Sequence, residues 1–227
     1  MSQIDKSTLG FLKKLAKNND RNWFTNNKSS YEVAKKNVED SAQDILSLLS
    51  KHDHIETASG KKAIYRIYRD VRFSKDKSPY KKHFAGYFRR ATNKLRGGYY
   101  FKIEPGASMV GGGFWGPNKE DLKLIRDQIS LDDSPLRKVL RSKKFISQFE
   151  ELRGEKLKTA PKGWDKEHES IDLLNHKQFI IWKPLSDAQV TSPDFAKEIN
   201  ATFKAMRPFF DVMSMYLTTD LNGEDLY

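Results

Sequence analysis

Residues 97–117 read GGYYFKIEPGASMVGGGFWGP. Two short runs of aromatic and branched residues flank Glu104-Pro105-Gly106-Ala107, and Gly or Pro bounds each run. Proline presets the backbone for a turn, and glycine accepts the positive φ that turns often need. The pattern predicts a hairpin over Tyr99–Trp115. Three other stretches have the same texture and predict strands: KKAIYRIY (61–68), HFAGYF (83–88) and HKQFIIWKPL (176–185).

On both sides the period changes to that of helices. Ser7 or Thr8 is suited to cap a helix carrying Phe11, Leu12, Leu15 and Ala16, which ends in the turn-prone NNDRN. Tyr31, Ala34, Val38, Ala42, Ile45, Leu46 and Leu49 then recur in steps of mainly three and four, one buried helical stripe. Trp23 and Phe24 are expected to anchor the corner between these two helices. Asn118 can cap a helix bearing Leu122, Ile125 and Ile129, Ser134-Pro135 opens another, and KFISQFEEL is a third short piece. APKGWDKEHES reads as loop. From Ser192-Pro193 a last helix is expected with Phe195, Ile199, Phe203, Met206, Phe210, Met213 and Leu217 on one stripe, kinked or broken at Pro208. The expectation is an α+β fold, a mainly antiparallel sheet from the middle of the chain flanked by N-terminal and C-terminal helices. One domain over 1–227 is expected, with a two-lobed arrangement as the alternative.

Hydrophobic residues make up 37% of the 227 and aromatics 12%, enough for a core. No apolar run approaches the roughly 20 residues of a membrane span, and the N-terminus lacks the pattern of a signal peptide. There is no cysteine, which excludes disulfides, thiolate nucleophiles and cysteine-held metal centres. A soluble cytoplasmic protein with no membrane partner is expected. The net charge is +11, and residues 61–96 hold 13 Lys or Arg against Asp70 and Asp76, so the remaining 28 bases and 28 acids cancel. A field this concentrated attracts phosphates, nucleic acid or acidic partners, although lysine-rich faces also serve solubility alone.

Within it, residues 65–84 read YRIYRDVRFSKDKSPYKKHF. As a strand, 64–73 would put Arg66, Tyr68, Asp70 and Arg72 on one face and Tyr65, Ile67, Arg69, Val71 and Phe73 on the other. Arg69 among apolar neighbours must snorkel, pair with a carboxylate or meet an anion. Asp70 between two arginines reads first as their ion-pair partner and second as a general base. A loop follows in which Lys75, Lys77, Lys81 and Lys82 join the arginines as a phosphate cradle. Tyr65, Tyr68, Phe73, Tyr80 and Phe84 offer stacking surfaces, of which Tyr80 alone is expected to be exposed.

The blocks LAKNNDRNWFTNNKSSYE, YRIYRDVRFSKDKSPYKKHF, GGYYFKIEPGASMVGGGFWGP and APKGWDKEHESIDLL together resemble the bacterial domain of unknown function 2461 family of conserved hypothetical proteins. The resemblance covers nearly the whole chain in order. It implies a single domain and carries no reaction or cofactor with it.

VGGGFWG lacks the Lys-Ser/Thr ending of a P-loop, and its bare backbone marks a close approach by a ligand or, preferably, a packed helix. The five histidines fall in no metal-binding motif, so no metal is assigned. His83 beside Lys81 and Lys82 is a candidate base, since positive neighbours favour its neutral form. Asp165, Glu167 and Asp172 are candidates to meet the basic block. Three readings remain. The preferred one is binding of a phosphate-bearing small molecule or nucleic acid by Arg66, Arg69, Arg72, Lys75, Lys77, Tyr80 and Lys81. The second is a hydrolase of phosphate esters or nucleic acid using Asp70 or His83. In the third the block is a structural network of salt bridges.

Overall fold

The computed structural model describes residues 3–226. Ten helices and four strands are found among them. The helices α1 (Lys6–Lys17), α2 (Arg21–Asn26), α3 (Lys28–Leu49) and α4 (Gly60–Ala63) precede β1 (Phe84–Arg89), β2 (Gly98–Ile103) and β3 (Ser108–Phe114). Next come α5 (Lys119–Leu131), α6 (Ser134–Leu140), α7 (Lys143–Phe149) and α8 (Ile171–Leu174). The strand β4 (Phe179–Leu185) and the helices α9 (Asp187–Val190) and α10 (Phe195–Thr218) follow. The strands form one antiparallel sheet in the order β1-β2-β3-β4, so the fold is α+β. None of the described helices is long and apolar enough to cross a membrane.

The hairpin is where turn chemistry puts it, closed by the Ala107 amide on the Glu104 carbonyl at 2.9 Å. Each outer strand meets a further short segment of chain. Ile64 bridges Gly86 of β1, and Arg153 bridges Ile180 of β4, both antiparallel.

The chain divides into two compact units. The first holds the residues up to Phe88 with Tyr100–Val110 and Pro184–Ala201; the second holds Arg89–Tyr99, Gly111–Lys183 and the residues from Thr202 on. In the first, α1, α2 and α4 pack on α3, whose buried stripe is the one that periodicity predicts, with Ser41 added. Phe24 and Tyr31 face each other at 5.0 Å, and Phe11 lies 6.1 Å from the half-buried Trp23. α1 starts earlier than its expected caps. Asp5 is the N-cap, and Asn37 of α3 accepts from the Asp5 amide (2.9 Å) and the Thr8 hydroxyl (2.8 Å) while donating to Gln3. A side chain from a neighbouring helix thus satisfies an end that the helix's own residues do not.

In the second unit the apolar stripe of α10 from Phe203 on forms the core, with Tyr99 4.8 Å from Phe203 and 5.0 Å from Phe210. Of the kink or break expected at Pro208, the break does not occur, for α10 is continuous through it. Met206, Phe209, Phe210 and Met213 are wholly buried on both sides of the proline, and this packing outweighs the one backbone bond that its ring removes. Gly111–Gly113 also lie here. Phe210 and Met206 of α10 cover Gly112, the helix approach that the sequence favoured, while the backbone of β4 crowds Gly111 and Gly113.

Candidate functional site

The basic stretch is not the strand that alternation predicts over 64–73. Its backbone does run antiparallel to the residues before and within β1. The Tyr65 amide donates to Ala85, that of Lys81 to Ile67 and that of Arg69 to Pro79 (2.9, 2.8 and 2.9 Å). The first of these pairs is out of register with the other two by two residues. Lys82 and His83 are the surplus, and such an insertion interrupts a ladder and bends the chain. What remains are the isolated bridges Ile64 to Gly86 and Tyr68 to Tyr80, with a loop between Arg69 and Pro79.

The loop is held by its own charges. Arg69 Nη1 lies 2.6 Å from the Asp76 carboxylate and 3.1 Å from the Ser78 carbonyl, and Nη2 reaches Ser74 Oγ. Asp76 also accepts from the Ser78 amide and hydroxyl, and these bonds, followed by Arg69, hold its carboxyl well below the usual range. Of the three outcomes open to Arg69, the structure shows pairing with a carboxylate, and the carboxylate is the loop's own. Arg72 grips Asp70 through Nε and Nη2, and that bond first lowers the Asp70 pKa. Arg66, the other expected partner, adds only a weaker electrostatic pull. Lys77 donates to Val71 O (3.0 Å) and Lys81 to Arg66 O (3.0 Å). Burial, then the neighbouring Arg66, pushes the Lys81 ammonium down. The half-buried His83 is also pushed down, first by burial and less by Lys102 and Lys81.

Exposure reverses the expected order of the aromatics. Tyr80 is only 5% exposed and stacks on Phe24 at 4.0 Å, so its ring is core. Phe84 is buried too. Tyr65 and Tyr68 are about half exposed and Phe73 is 96% exposed, with the Arg72 guanidinium 6.0 Å from its ring. Alternation along a strand cannot hold where the strand is interrupted. Arg66, Lys75 and Lys82 are exposed, and among the described residues none is within ion-pair distance of a carboxylate.

The end of the basic segment behaves differently. Arg90 is buried and donates to Asp211, Ser214 and the Arg96 carbonyl, with its guanidinium 5.5 Å from the Phe210 ring. Lys94 pairs with Asp225 and Arg96 with Asp121. Residues 90–96 thus spend charge on structure with acids distant in sequence, whereas the two acids of 64–83 are taken up within their own loop.

Asp172 pairs with Arg137, Glu167 with Lys166, and Asp165 accepts the Glu167 amide. A Ser–His contact that the sequence gave no hint of lies in the same unit, His168 Nε2 being 2.8 Å from Ser130 Oγ. Nδ1 of that ring accepts the Ser170 amide, so the proton sits on Nε2 and is donated to the serine. A base that activates a serine needs the opposite tautomer. This pair orients, and does not deprotonate, Ser130. Among the described residues no group of three or more His, Asp or Glu is placed to hold a metal ion.

No curated protein and no solved structure matches the chain. The family assignment rests on the sequence model described as "Conserved hypothetical protein (DUF2461)", which matches residues 7–212 and so includes the interrupted ladder, the hairpin and most of α10; the chain belongs to that family.

Proposed function

We propose that the loop over residues 66–82 binds a phosphate-bearing polyanion, and that single-stranded nucleic acid suits it best. The observation that carries this reading is the combination on one internally braced loop of exposed cations without carboxylate partners (Arg66, Lys75 and Lys82) and the protruding ring of Phe73. Lysines and arginines would follow the phosphates, and an exposed ring gives any base a face to stack on. The depressed Lys81 ammonium beside Arg66 adds support, because an anion there relieves both charges. Two arginines already tied to carboxylates make the loop stiff before it binds, which lowers the ordering cost.

A hydrolase has less support at this loop. The Asp70 carboxylate is committed to the Arg72 side chain and backbone amide and is held acidic, which makes it a poor base.

The test is fluorescence anisotropy with labelled single-stranded and duplex oligonucleotides over a series of salt concentrations. The reading expects affinity that falls log-linearly with salt, weakens on Arg66→Ala and Lys75→Ala, and drops for single strands by about tenfold or more on Phe73→Ala. Affinity indifferent to all three substitutions would sink it.

A further inference from the structure

We propose a second ligand site, a nucleoside-phosphate site in the groove between α5 and the turn at 162–164, distinct from the basic loop and independent of the reading above. The groove has a volume of about 650 Å³. Small-molecule sites run to roughly 300–1,000 Å³, and a bare phosphate fills far less.

One wall is a face of α5. Lys119, Lys123, Arg126 and Ser130 follow at steps of four, three and four, so they line up along the helix. The opposite wall is Lys162, Gly163 and Trp164, in a turn where the Trp164 amide bonds the Pro161 carbonyl at 3.2 Å. Leu131 and Leu221, 62% and 48% exposed, complete the lining with apolar surface.

The charge in the groove is poorly compensated. Asp127 is its one acid and already pairs with Lys123 at 2.6 Å. Arg126 is half-buried, and its bonds go to neutral oxygens, Nε to Leu174 O at 2.9 Å and Nη2 to His176 O at 3.2 Å. Its Nη1 makes no hydrogen bond among the described residues. A guanidinium withdrawn from water without a carboxylate gains from an anion, and two carbonyls fix its plane in advance.

Cations alone would take any anion. The half-buried indole of Trp164 and the two leucines add a demand for a flat, largely apolar body joined to the anionic group. A purine or pyrimidine nucleoside phosphate meets both demands, with its base against the indole and its phosphate on the lysines. Ser130 supports this. Since His168 donates to its oxygen, the Ser130 hydroxyl proton is left to donate elsewhere, and Ser130 lines the groove.

The probe is adenosine monophosphate, titrated calorimetrically into the full chain, with adenosine and inorganic phosphate run separately. The expected result is saturable binding of the nucleotide, and binding of each fragment weaker by about tenfold or more. Lys162→Glu, on an exposed turn residue, should weaken the nucleotide by at least about tenfold with the circular dichroism spectrum unchanged. Binding should quench indole emission in the wild type, and in Trp164→Phe the nucleotide should still bind by calorimetry with that quenching lost. The double variant Arg66→Ala, Lys75→Ala should leave the nucleotide affinity as it was. No saturable heat, indifference to Lys162→Glu, equal binding of adenosine, or loss in the double variant would each overturn the proposal, and the last would place the nucleotide on the basic loop instead.

Discussion

Arg69 and Asp76 close the base of the basic loop, guanidinium to carboxylate at 2.6 Å, with Ser78 held by the same acid. The other acid of the loop, Asp70, touches only Arg72 beside it, by side chain and amide. The two carboxylates thus do different work, and substitution separates them. Asp76→Asn should speed amide hydrogen exchange at Arg69 and Ser78. Asp70→Asn should leave that exchange unchanged and release Arg72. If the loop binds polyanions, Asp70→Asn should tighten binding about two- to threefold and steepen the salt dependence by about one ion. Equal exchange behaviour in the two variants would contradict this division.

Arg90 makes the opposite use of charge. Its side chain is fully buried while that of Asp211 is about half exposed. Arg90→Ala removes one donor from Ser214, which keeps the Arg96 amide at 2.9 Å, and one from the Arg96 carbonyl, and it opens a cavity beside Phe210, so urea denaturation should show a loss of about 3 kcal/mol. Asp211→Asn removes a screened partner, and its expected cost is at most about 1 kcal/mol.

Acid should weaken the fold before the carboxylates titrate. His176 is buried against Phe179 with Nδ1 3.0 Å from the Gln178 carbonyl, and burial pushes its pKa down to about 4. The unfolded chain takes up a proton near pH 6.5 that the folded chain refuses until about pH 4, so stability is full above that window and falls through it. The loss from this residue approaches roughly 3 kcal/mol. His83 is shifted the same way and adds to the slope. Denaturation midpoints measured from pH 7.5 to 4 should flatten in His176→Gln; an unchanged slope would refute the assignment.

Gly113 is irreplaceable for two reasons at once. Its φ is +129°, and an added Cβ would lie 2.2 Å from the Phe179 carbonyl oxygen of the neighbouring strand. Gly106 also has a positive φ, +74°, but nothing stands within 4 Å of its missing Cβ. Gly113→Ala should cost about 3 kcal/mol or more and Gly106→Ala about 1 kcal/mol, read as shifts in urea midpoint.

What the sequence disclosed was local. The stripes of α3 and α10, the Asn118 cap and the Pro105-Gly106 turn each depend on residues a few positions apart. What it concealed depends on partners far along the chain. The interruption at Lys82-His83 arises from how 79–86 pairs with 64–69, and no periodicity within 64–73 reveals it. Tyr80 is buried because Phe24 stacks on it, and Arg90 is structural because Asp211 lies beside it. The groove of α5 joins a helix face to a turn about forty residues later, and that turn reads by itself as a polar loop. Three glycines in a row announced a close approach, though composition could not say that a strand supplies part of it.

The short bridges at Ile64 and Arg153 have a consequence for how copies of this chain treat one another. The outer strands of an open sheet carry unpaired amides and carbonyls that can template another chain. Here the start of β1 is already engaged by Ile64 and Tyr65, and β4 by Arg153 through a pair of bonds with Ile180. An incoming strand would have to displace a segment of the chain itself. In a protein that is one-eighth aromatic, two short covers and no extra strand thus occupy positions where a foreign strand would have to pair.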